Sequence, residues 1–194
     1  MNRPDAASRQ ARAEDLAEQL AGKPLVLVGL MGAGKTTVGR RLAARLNRQF
    51  LDSDEEIEKA AQMTIPEIFE QRGEPEFRAG ETRVIARVLK DAGIVLATGG
   101  GAFVNEETRA LVKGEAISIW LKAEADILFE RVSRRSNRPL LKTANPRATL
   151  EKLIEDRYPI YAEADVTVIS REVPQDVVAG DVIDAVLGFL KRQD

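Results

Sequence analysis

The chain has 194 residues, enough for one globular domain with a substantial core. Its 29 Lys and Arg residues nearly balance its 31 Asp and Glu residues, and a net charge of −2 gives no general attraction to nucleic acid or to an anionic membrane. The absence of Cys and His excludes disulfides, thiolate chemistry and imidazole bases, so acid–base chemistry must use carboxylates, Lys or Tyr.

The N-terminal region lacks the apolar core of a signal peptide, and no apolar run in the chain approaches the roughly 18 residues of a transmembrane span. Its acidic residues, Asp5, Glu14, Asp15 and Glu18, also argue against an organelle transit peptide, which is poor in acidic residues. We therefore expect a cytoplasmic protein that does not bind membranes.

Residues 1–23 precede the first predicted strand and form an N-terminal extension to a single domain at 24–194. Four apolar residues of this extension share one helical face: Leu16, Ala17, Leu20 and Ala21. Gly22 then provides a typical helix stop. Such a helix is either solvated and frayed or packed against the domain or a partner, and we expect the solvated form.

The first predicted strand leads into a glycine loop and a helix. An apolar run at 25–29 predicts a buried strand, and apolar periodicity predicts a helix at 35–47. The residues between them, Gly29-Leu-Met-Gly-Ala-Gly34-Lys35-Thr36, fit the pattern of a P-loop. Since strand, loop and helix follow one another in the order that a P-loop requires, we expect a nucleoside triphosphate to bind here.

The chemistry of this loop explains its residue types. Glycines let consecutive backbone N–H groups turn toward one anion, at the positive end of the helix dipole. Lys35 can reach the β- and γ-phosphates, and the Thr36 hydroxyl can ligate Mg²⁺. The predicted contacts with the triphosphate come from Gly32, Ala33, Gly34, Lys35, Thr36 and Thr37.

Beyond the loop, strand and helix patterns alternate along the chain. Strands are predicted at 49–52, 94–97, 116–121 and 166–169. Helices are predicted at 54–62, 65–71, 75–91, 105–113, 124–134, 149–163 and 175–191, with Gly73 as the stop between the second and the third. This alternation predicts an α/β fold with a parallel sheet covered on both faces and with ligands at the carboxyl ends of the strands.

Two carboxylates follow the second strand, in Asp52-Ser-Asp54. Residues two apart in extended backbone point to the same side. One carboxylate can therefore help to organise the Mg²⁺ shell while the other reaches a substrate hydroxyl. The alternative is N-capping of the next helix, for which Asp is well suited; beside a P-loop, we favour the functional role.

Three glycines, Gly99 to Gly101, follow the strand at 94–97. A tight turn needs only one or two glycines. Three in a row at the carboxyl end of a strand indicate that a ligand or another group approaches the backbone closely. We therefore favour a ligand-binding segment over a simple turn.

A basic segment follows Glu130, since no acidic residue occurs before Glu151. It contains Arg131, Arg134, Arg135, Arg138, Lys142 and Arg147. A solvated basic face is the usual explanation. In a triphosphate-binding chain, prolines at 139 and 146 favour instead a mobile lid at about 135–148 that brings arginines onto the phosphates. Arg138 is the candidate for the transferring phosphoryl group.

Taken in order, these motifs resemble those of the shikimate kinases. The matching segments are Gly29–Thr36, Phe50–Asp54, Ile68-Phe with Gly73-Glu-x-x-Phe77-Arg78-x-x-Glu81, Thr98–Gly101, Arg138-Pro139-Leu-Leu and Arg157-Tyr-Pro-x-Tyr161. The resemblance runs from about Leu25 to Leu190. It implies a three-layer P-loop fold like that of the nucleoside-monophosphate kinases, with a five-stranded parallel sheet in the order 2-3-1-4-5 and a lid.

The resemblance also implies the reaction, which is transfer of the γ-phosphoryl group of ATP to the 3-hydroxyl of shikimate in aromatic amino-acid biosynthesis. It implies that Asp54 meets the reacting diol, with Lys35 and Arg138 as the other catalytic residues. It also implies that Arg78 and Arg157 bind the shikimate carboxylate and that the Gly100 backbone contacts the substrate. For the donor, Asp52 supports Mg²⁺ through water, Arg131 stacks on adenine and Ser170–Pro174 borders it.

Two other functions stay open. The first is an ATP-dependent kinase of another small hydroxy-acid or of a nucleotide, although Arg78, Arg157 and the three glycines argue against a nucleotide acceptor. The second is a non-catalytic nucleotide-binding module, which the intact Lys35, Thr36 and Asp54 disfavour. We expect ATP and shikimate as partners, and a monomer.

Overall fold

The computed structural model describes residues 6–134 and 143–193. The strands are β1 (Leu25–Val28), β2 (Gln49–Asp52), β3 (Ile94–Ala97), β4 (Ile117–Lys122) and β5 (Val166–Ile169). The helices are α1 (Ala6–Gln19), α2 (Lys35–Arg45), α3 (Ser53–Ala61), α4 (Ile65–Val88), α5 (Glu106–Glu115), α6 (Ala125–Ser133), α7 (Pro146–Tyr161) and α8 (Gln175–Leu190), with a 3₁₀ turn at Ala102–Val104.

The five strands form one parallel sheet in the order β2-β3-β1-β4-β5, which confirms the predicted order. β1 lies at its centre, and all four of its residues are buried. Leu25 pairs with Val95 of β3 on one side and with Ile117 of β4 on the other. Because all strands run in the same direction, their carboxyl ends share one edge, and the P-loop follows β1 at that edge.

Most predicted elements occur close to their predicted positions. Strands β2, β3 and β5 have the predicted bounds, because short apolar runs between polar segments mark them clearly. Gly73 interrupts α4 as predicted, with φ 78° and ψ 171°, and Pro75 follows it. The capping box of Thr64 and Glu67 begins this helix.

Helix α7 begins at Pro146, three residues before the predicted start at 149. Asn145 caps it by accepting a hydrogen bond from the Ala148 amide at 3.1 Å, and proline is well tolerated in the first turn. The last three residues of the predicted lid are therefore helical. Residues 135–142, which include Arg138 and most of that lid, lie outside the described residues.

The main core surrounds the sheet, and a small second cluster lies between α3 and α4. The second cluster consists of Ile57, Ile68 and Phe77. It holds α4 beside the carboxyl edge of the sheet. None of the described helices combines the length and the apolar character that crossing a membrane requires.

The expected solvation of the N-terminal helix is wrong, because α1 packs on the domain. Leu16 is completely buried, and Ala13 and Leu20 are 1% and 3% exposed. Arg12 forms an ion pair with Asp184 of α8, with 2.9 Å between Nη1 and Oδ1. Leu16 and Leu20 of the apolar face found in the sequence are thus buried, although Ala21 is exposed, and the alternative of packing against the domain is confirmed.

We predict that Leu16→Ala destabilises the protein by about 2–5 kcal/mol, because it removes buried methyl groups and leaves a cavity between α1 and α8. Glu18→Ala, an exposed change on the same helix, is the matched control and should change the free energy of unfolding by less than about 0.5 kcal/mol. Urea denaturation measures both. Equal, small effects would show that α1 is not packed in solution.

Candidate functional site

A cleft of about 470 Å³ lies at the carboxyl edge of the sheet. It brings together residues that the sequence assigned to both halves of a site: Gly32, Gly34, Lys35, Thr36, Thr37, Asp52, Asp54, Gly100 and Arg131. Arg78 and Arg157 do not line this cleft, but both contact the three glycines at its wall. The cleft therefore joins the predicted triphosphate loop to the predicted acceptor residues.

The P-loop has the backbone that its glycines predict. Gly29, Gly32 and Gly34 have φ angles of 134°, 84° and 95°, which L side chains rarely adopt. Lys35 begins α2, and its ammonium group donates to the carbonyl oxygens of Gly29 at 2.7 Å and Leu30 at 3.0 Å. The ammonium group thus lies within the loop, on the side where phosphate oxygens would bind.

Asp52 has the capping role that the sequence left as an alternative, and it also contacts the P-loop; its predicted role toward Mg²⁺ stays a prediction. Its Oδ1 accepts a hydrogen bond from the Asp54 amide at 3.1 Å and so caps α3. Its Oδ2 accepts a hydrogen bond from the Thr36 hydroxyl at 2.9 Å. One carboxylate therefore fixes the start of α3 and orients the hydroxyl of the P-loop threonine.

The Cα atom of Gly99 lies against two carboxylates. A Cβ atom at this position would lie 2.7 Å from Oδ1 of Asp54 and 3.2 Å from Oε1 of Glu81. The Gly99 amide donates to the hydroxyl of Ser53 at 2.9 Å, which holds the segment to the start of α3. A side chain at Gly99 would displace these groups, so the first glycine is explained by a close approach.

Gly101 makes room for an arginine. A Cβ atom here would lie 2.6 Å from Nη1 of Arg78. Arg78 donates from Nη1 to Glu81 at 2.7 Å and from Nη2 to Glu74 at 3.2 Å. Glu81 lies one helical turn after Arg78, a spacing that lets the pair orient each other.

The Arg78–Glu81 pair is strongly asymmetric in burial, since the Glu81 side chain is 1% exposed and that of Arg78 is 26% exposed. Burial raises the pKa of the Glu81 carboxyl, although the Arg78 charge opposes the rise. Burial also lowers the pKa of Arg78, but the hydrogen bonds and charges of Glu81 and Glu74 outweigh it and raise the pKa overall. The guanidinium group is thus held in place, charged and partly exposed.

Two side chains of α7 hold the carbonyl group of Gly100. Arg157 donates to this oxygen from Nη1 at 3.2 Å, and the Tyr161 hydroxyl donates to the same oxygen. Burial raises the pKa of Tyr161 to about 12, so its hydroxyl keeps its proton and remains a donor. The glycine segment is therefore fixed from α4 on one side and from α7 on the other.

Arg131 links the P-loop to the segment after β5. Its Nη1 donates to the Ser170 hydroxyl at 2.9 Å, and its Nη2 donates to the Arg171 carbonyl oxygen at 2.7 Å. Ser170 in turn donates to the Ala33 carbonyl oxygen at 2.8 Å. Arg131 thus joins the cleft to the segment after β5, and the adenine contacts of Arg131 and Ser170–Pro174 stay predictions.

Three residues of the site received no role from the sequence: Ser53, Tyr161 and Gln175. Tyr161 lies one helical turn after Arg157, so the spacing in the α7 pattern could have indicated that both reach the same atom. The contacts of the others join segments that are distant in sequence, and single-residue patterns do not report such contacts. Arg147, which belongs to the basic segment found in the sequence, forms ion pairs with Asp126 and Glu151 on the surface.

Comparisons with known proteins agree on one family. The sequence model of the family "shikimate kinase" matches residues 31–187. A shikimate kinase of Rhodopseudomonas palustris is 55% identical over 185 residues, which are 95% of this chain and 91% of the relative. One from Nitrobacter winogradskyi is 59% identical over 174 residues, 90% of this chain and 79% of the relative.

A solved structure is similar as well. The shikimate kinase from Acinetobacter baumannii, determined in complex with shikimate, has a TM-score of 0.83 and 40% sequence identity to this chain. The match covers 89% of this chain and 97% of that one. The likeness therefore extends over most of both chains.

Proposed function

The chain belongs to the shikimate kinase family, and from this premise we propose that it transfers the γ-phosphoryl group of ATP to the 3-hydroxyl of shikimate. One observation carries the proposal: the P-loop and an arginine-flanked glycine segment line one cleft. The P-loop accounts for the donor. The arginines account for an acceptor that is a small carboxylate with hydroxyl groups.

On the donor side, the backbone N–H groups from Gly32 to Thr37 surround the β- and γ-phosphates. Lys35 supports this role because its ammonium group already lies in the loop, where a phosphate oxygen would replace the carbonyl oxygens of Gly29 and Leu30. Arg131 stacks on adenine beside Ser170–Pro174. Arg138, from the proposed lid at 135–148, neutralises the transferring phosphoryl group.

Thr36 and Asp52 fit Mg²⁺ by their chemistry, since a hydroxyl and a carboxylate are hard oxygen ligands and lie 2.9 Å apart. The described residues contain no cluster of three or more His, Cys, Asp or Glu side chains suited to a metal ion. This agrees with an ion held largely by phosphate oxygens and water. When bound with ATP, Mg²⁺ supplies positive charge to the phosphates.

On the acceptor side, Arg78 and Arg157 bind the carboxylate of shikimate, and the Gly100 backbone contacts its ring. A planar guanidinium group pairs with a carboxylate through two parallel hydrogen bonds, which also fixes the orientation of the ring. Glu81 and Glu74 hold Arg78 in place for this contact. Asp54, which lies against Gly99, then faces the hydroxyl groups.

The reaction forms a bond between the 3-hydroxyl oxygen and the γ-phosphorus and breaks the bond from that phosphorus to the β,γ-bridging oxygen. Asp54 orients the hydroxyl and accepts its proton. The transition state of phosphoryl transfer is loose, so positioning and charge neutralisation supply most of the catalysis. A chain without His or Cys has the groups that this chemistry needs.

The remaining parts of the proposal concern the setting of the enzyme. We place the reaction in the cytoplasm, where ATP is the common phosphoryl donor. We expect the protein to be a monomer that binds ATP and shikimate. The catalytic domain comprises residues 24–194, with residues 1–23 as an extension that packs on it through α1.

We predict that shikimate, but neither gluconate nor a nucleoside monophosphate, stimulates release of ADP from ATP. The reason is that two arginines and the glycine wall match a small cyclic carboxylate. A coupled ADP-release assay with each acceptor measures this. A higher kcat/KM for gluconate or a nucleotide would make the chain another kind of kinase. ATP binding with no acceptor-stimulated release would make it a non-catalytic module.

We predict that Asp54→Asn lowers kcat by roughly 10²–10⁴-fold, since an amide cannot accept the hydroxyl proton. The affinity for ADP should stay nearly unchanged, because Asp54 lies on the acceptor side of the cleft. Asp91→Asn, an exposed change of the same kind, is the control. Steady-state kinetics and ADP titration measure the two effects. Unchanged turnover in Asp54→Asn would remove the role of this carboxylate.

We predict that Gly101→Ala raises the KM for shikimate by about tenfold, the equivalent of one lost charge-assisted hydrogen bond. The backbone of Gly101 has φ −97°, which alanine adopts freely, so the expected effect comes only from displacement of the Arg78 guanidinium group. The KM for ATP should stay unchanged. Gly114→Ala is the matched control, because among the described residues no heavy atom outside its chain neighbours and the backbone of its own helix lies within 4 Å of its Cβ position. A KM for shikimate equal to that of the control would place the carboxylate elsewhere.

A further inference from the structure

Gln175 places an unpartnered acceptor against the P-loop. It is the first residue of α8, and it lines the cleft beside Gly34 and Lys35. A Cβ atom at Gly34 would lie 2.9 Å from Oε1 of Gln175. This oxygen is buried and has no hydrogen-bond partner among the residues that the structure describes. A buried acceptor without a donor is costly, so its position calls for a donor from a ligand.

The chemistry of ATP limits what that donor can be. The oxygen atoms of its triphosphate are acceptors at neutral pH, and they cannot donate to Oε1 of Gln175. The donors of ATP are the amino group of adenine and the two hydroxyl groups of ribose, all in the nucleoside half. We propose that Gln175 recognises the nucleoside of ATP, with Oε1 accepting a hydrogen bond from one of these donors.

The neighbours of Gln175 support a nucleoside contact. The Ser170 hydroxyl lies 3.9 Å from the same Cβ position of Gly34, and it accepts a hydrogen bond from Arg131. Gln175 and the arginine that we assign to adenine therefore line the same cleft, and Ser170 joins that arginine to the phosphate loop beside Gln175. This inference rests on ATP as the donor in the proposed function, and it adds a residue that sets nucleotide specificity.

Comparing nucleotide affinities between the native protein and Gln175→Met tests the inference. Methionine has nearly the same length and no amide. Isothermal titration calorimetry without acceptor gives the Kd for ADP, 2′-deoxy-ADP, 3′-deoxy-ADP and IDP. The native protein should bind one of the last three about tenfold more weakly than ADP, because that ligand lacks the donor for Gln175. In Gln175→Met this difference should disappear.

The analogue whose weaker binding disappears in Gln175→Met identifies the group of the nucleotide that donates to Gln175. Loss with either deoxynucleotide assigns a ribose hydroxyl, and loss with IDP assigns the adenine amino group. Gln71→Met, an exposed change far from the cleft, should keep the native differences. Thermal unfolding of each variant checks that the fold is intact.

Three outcomes overturn the inference. Native protein that binds all four nucleotides equally has no such contact. A difference that persists in Gln175→Met arises from another group. A uniform weakening of all four in Gln175→Met would show that the amide donates to phosphate through Nε2 instead. If ADP itself does not bind, the ATP-dependent function fails too, whereas shikimate-stimulated ADP release without coupling at Gln175 overturns this inference alone.

Discussion

The parallel pairing of β1 with β3 is the constraint on which the site depends. Leu27 lies opposite Ala97, and the next residue, Thr98, donates to the Leu27 carbonyl oxygen from its amide at 3.1 Å and from its hydroxyl at 3.0 Å. The two strands therefore end at the same level. The P-loop and the glycine segment leave the sheet side by side, and a register shift of one residue would turn each buried strand residue to the opposite face.

Although these strands are short, burial keeps β1 and its neighbour β3 in place. All residues of β1 and β3 are buried, and parallel strands covered on both faces have no polar face to exchange with the core. The edge strand β2 is more exposed, yet its last residue, Asp52, is held by Thr36 and by the start of α3. Polar contacts thus hold the edge strand in place, whereas packing holds the central strands in place.

The Arg78–Glu81 pair shows what a buried carboxylate contributes. Removing the Glu81 charge from water costs free energy, and the raised pKa of Glu81 expresses that cost. The cost is offset because the carboxylate fixes Arg78 in a single direction before any ligand arrives. A guanidinium group that is already ordered loses less conformational entropy on binding a carboxylate. The pair is therefore better explained by preorganisation than by stability.

Local patterns in the sequence predicted the strands, the helices and the P-loop, whereas the strand order and most of the residue roles came from the resemblance to the shikimate kinases. Apolar runs marked the strands, Gly73 marked the interruption of α4, and the spacing of Arg78 and Glu81 placed them on one turn. The burial of α1 could not be predicted in the same way, since it depends on a complementary face of α8 far away in sequence. The contacts of Gln175 and Ser170 with the P-loop also join opposite ends of the chain.

Cations on the donor side are also held in advance, although by a different device. Lys35 donates to the carbonyl oxygens of Gly29 and Leu30, and Arg131 donates to Ser170 and to the carbonyl oxygen of Arg171. A phosphate or a base that binds them replaces or extends these partners without first ordering a free side chain. Both halves of the proposed site thus hold their charges on partners within the protein. Carboxylates hold Arg78, whereas backbone carbonyl oxygens hold Lys35, Arg131 and Arg157. Electrostatic stabilisation of a developing charge is strongest when the groups that provide it do not have to move, so this shared arrangement favours catalysis by position over catalysis by a reactive side chain.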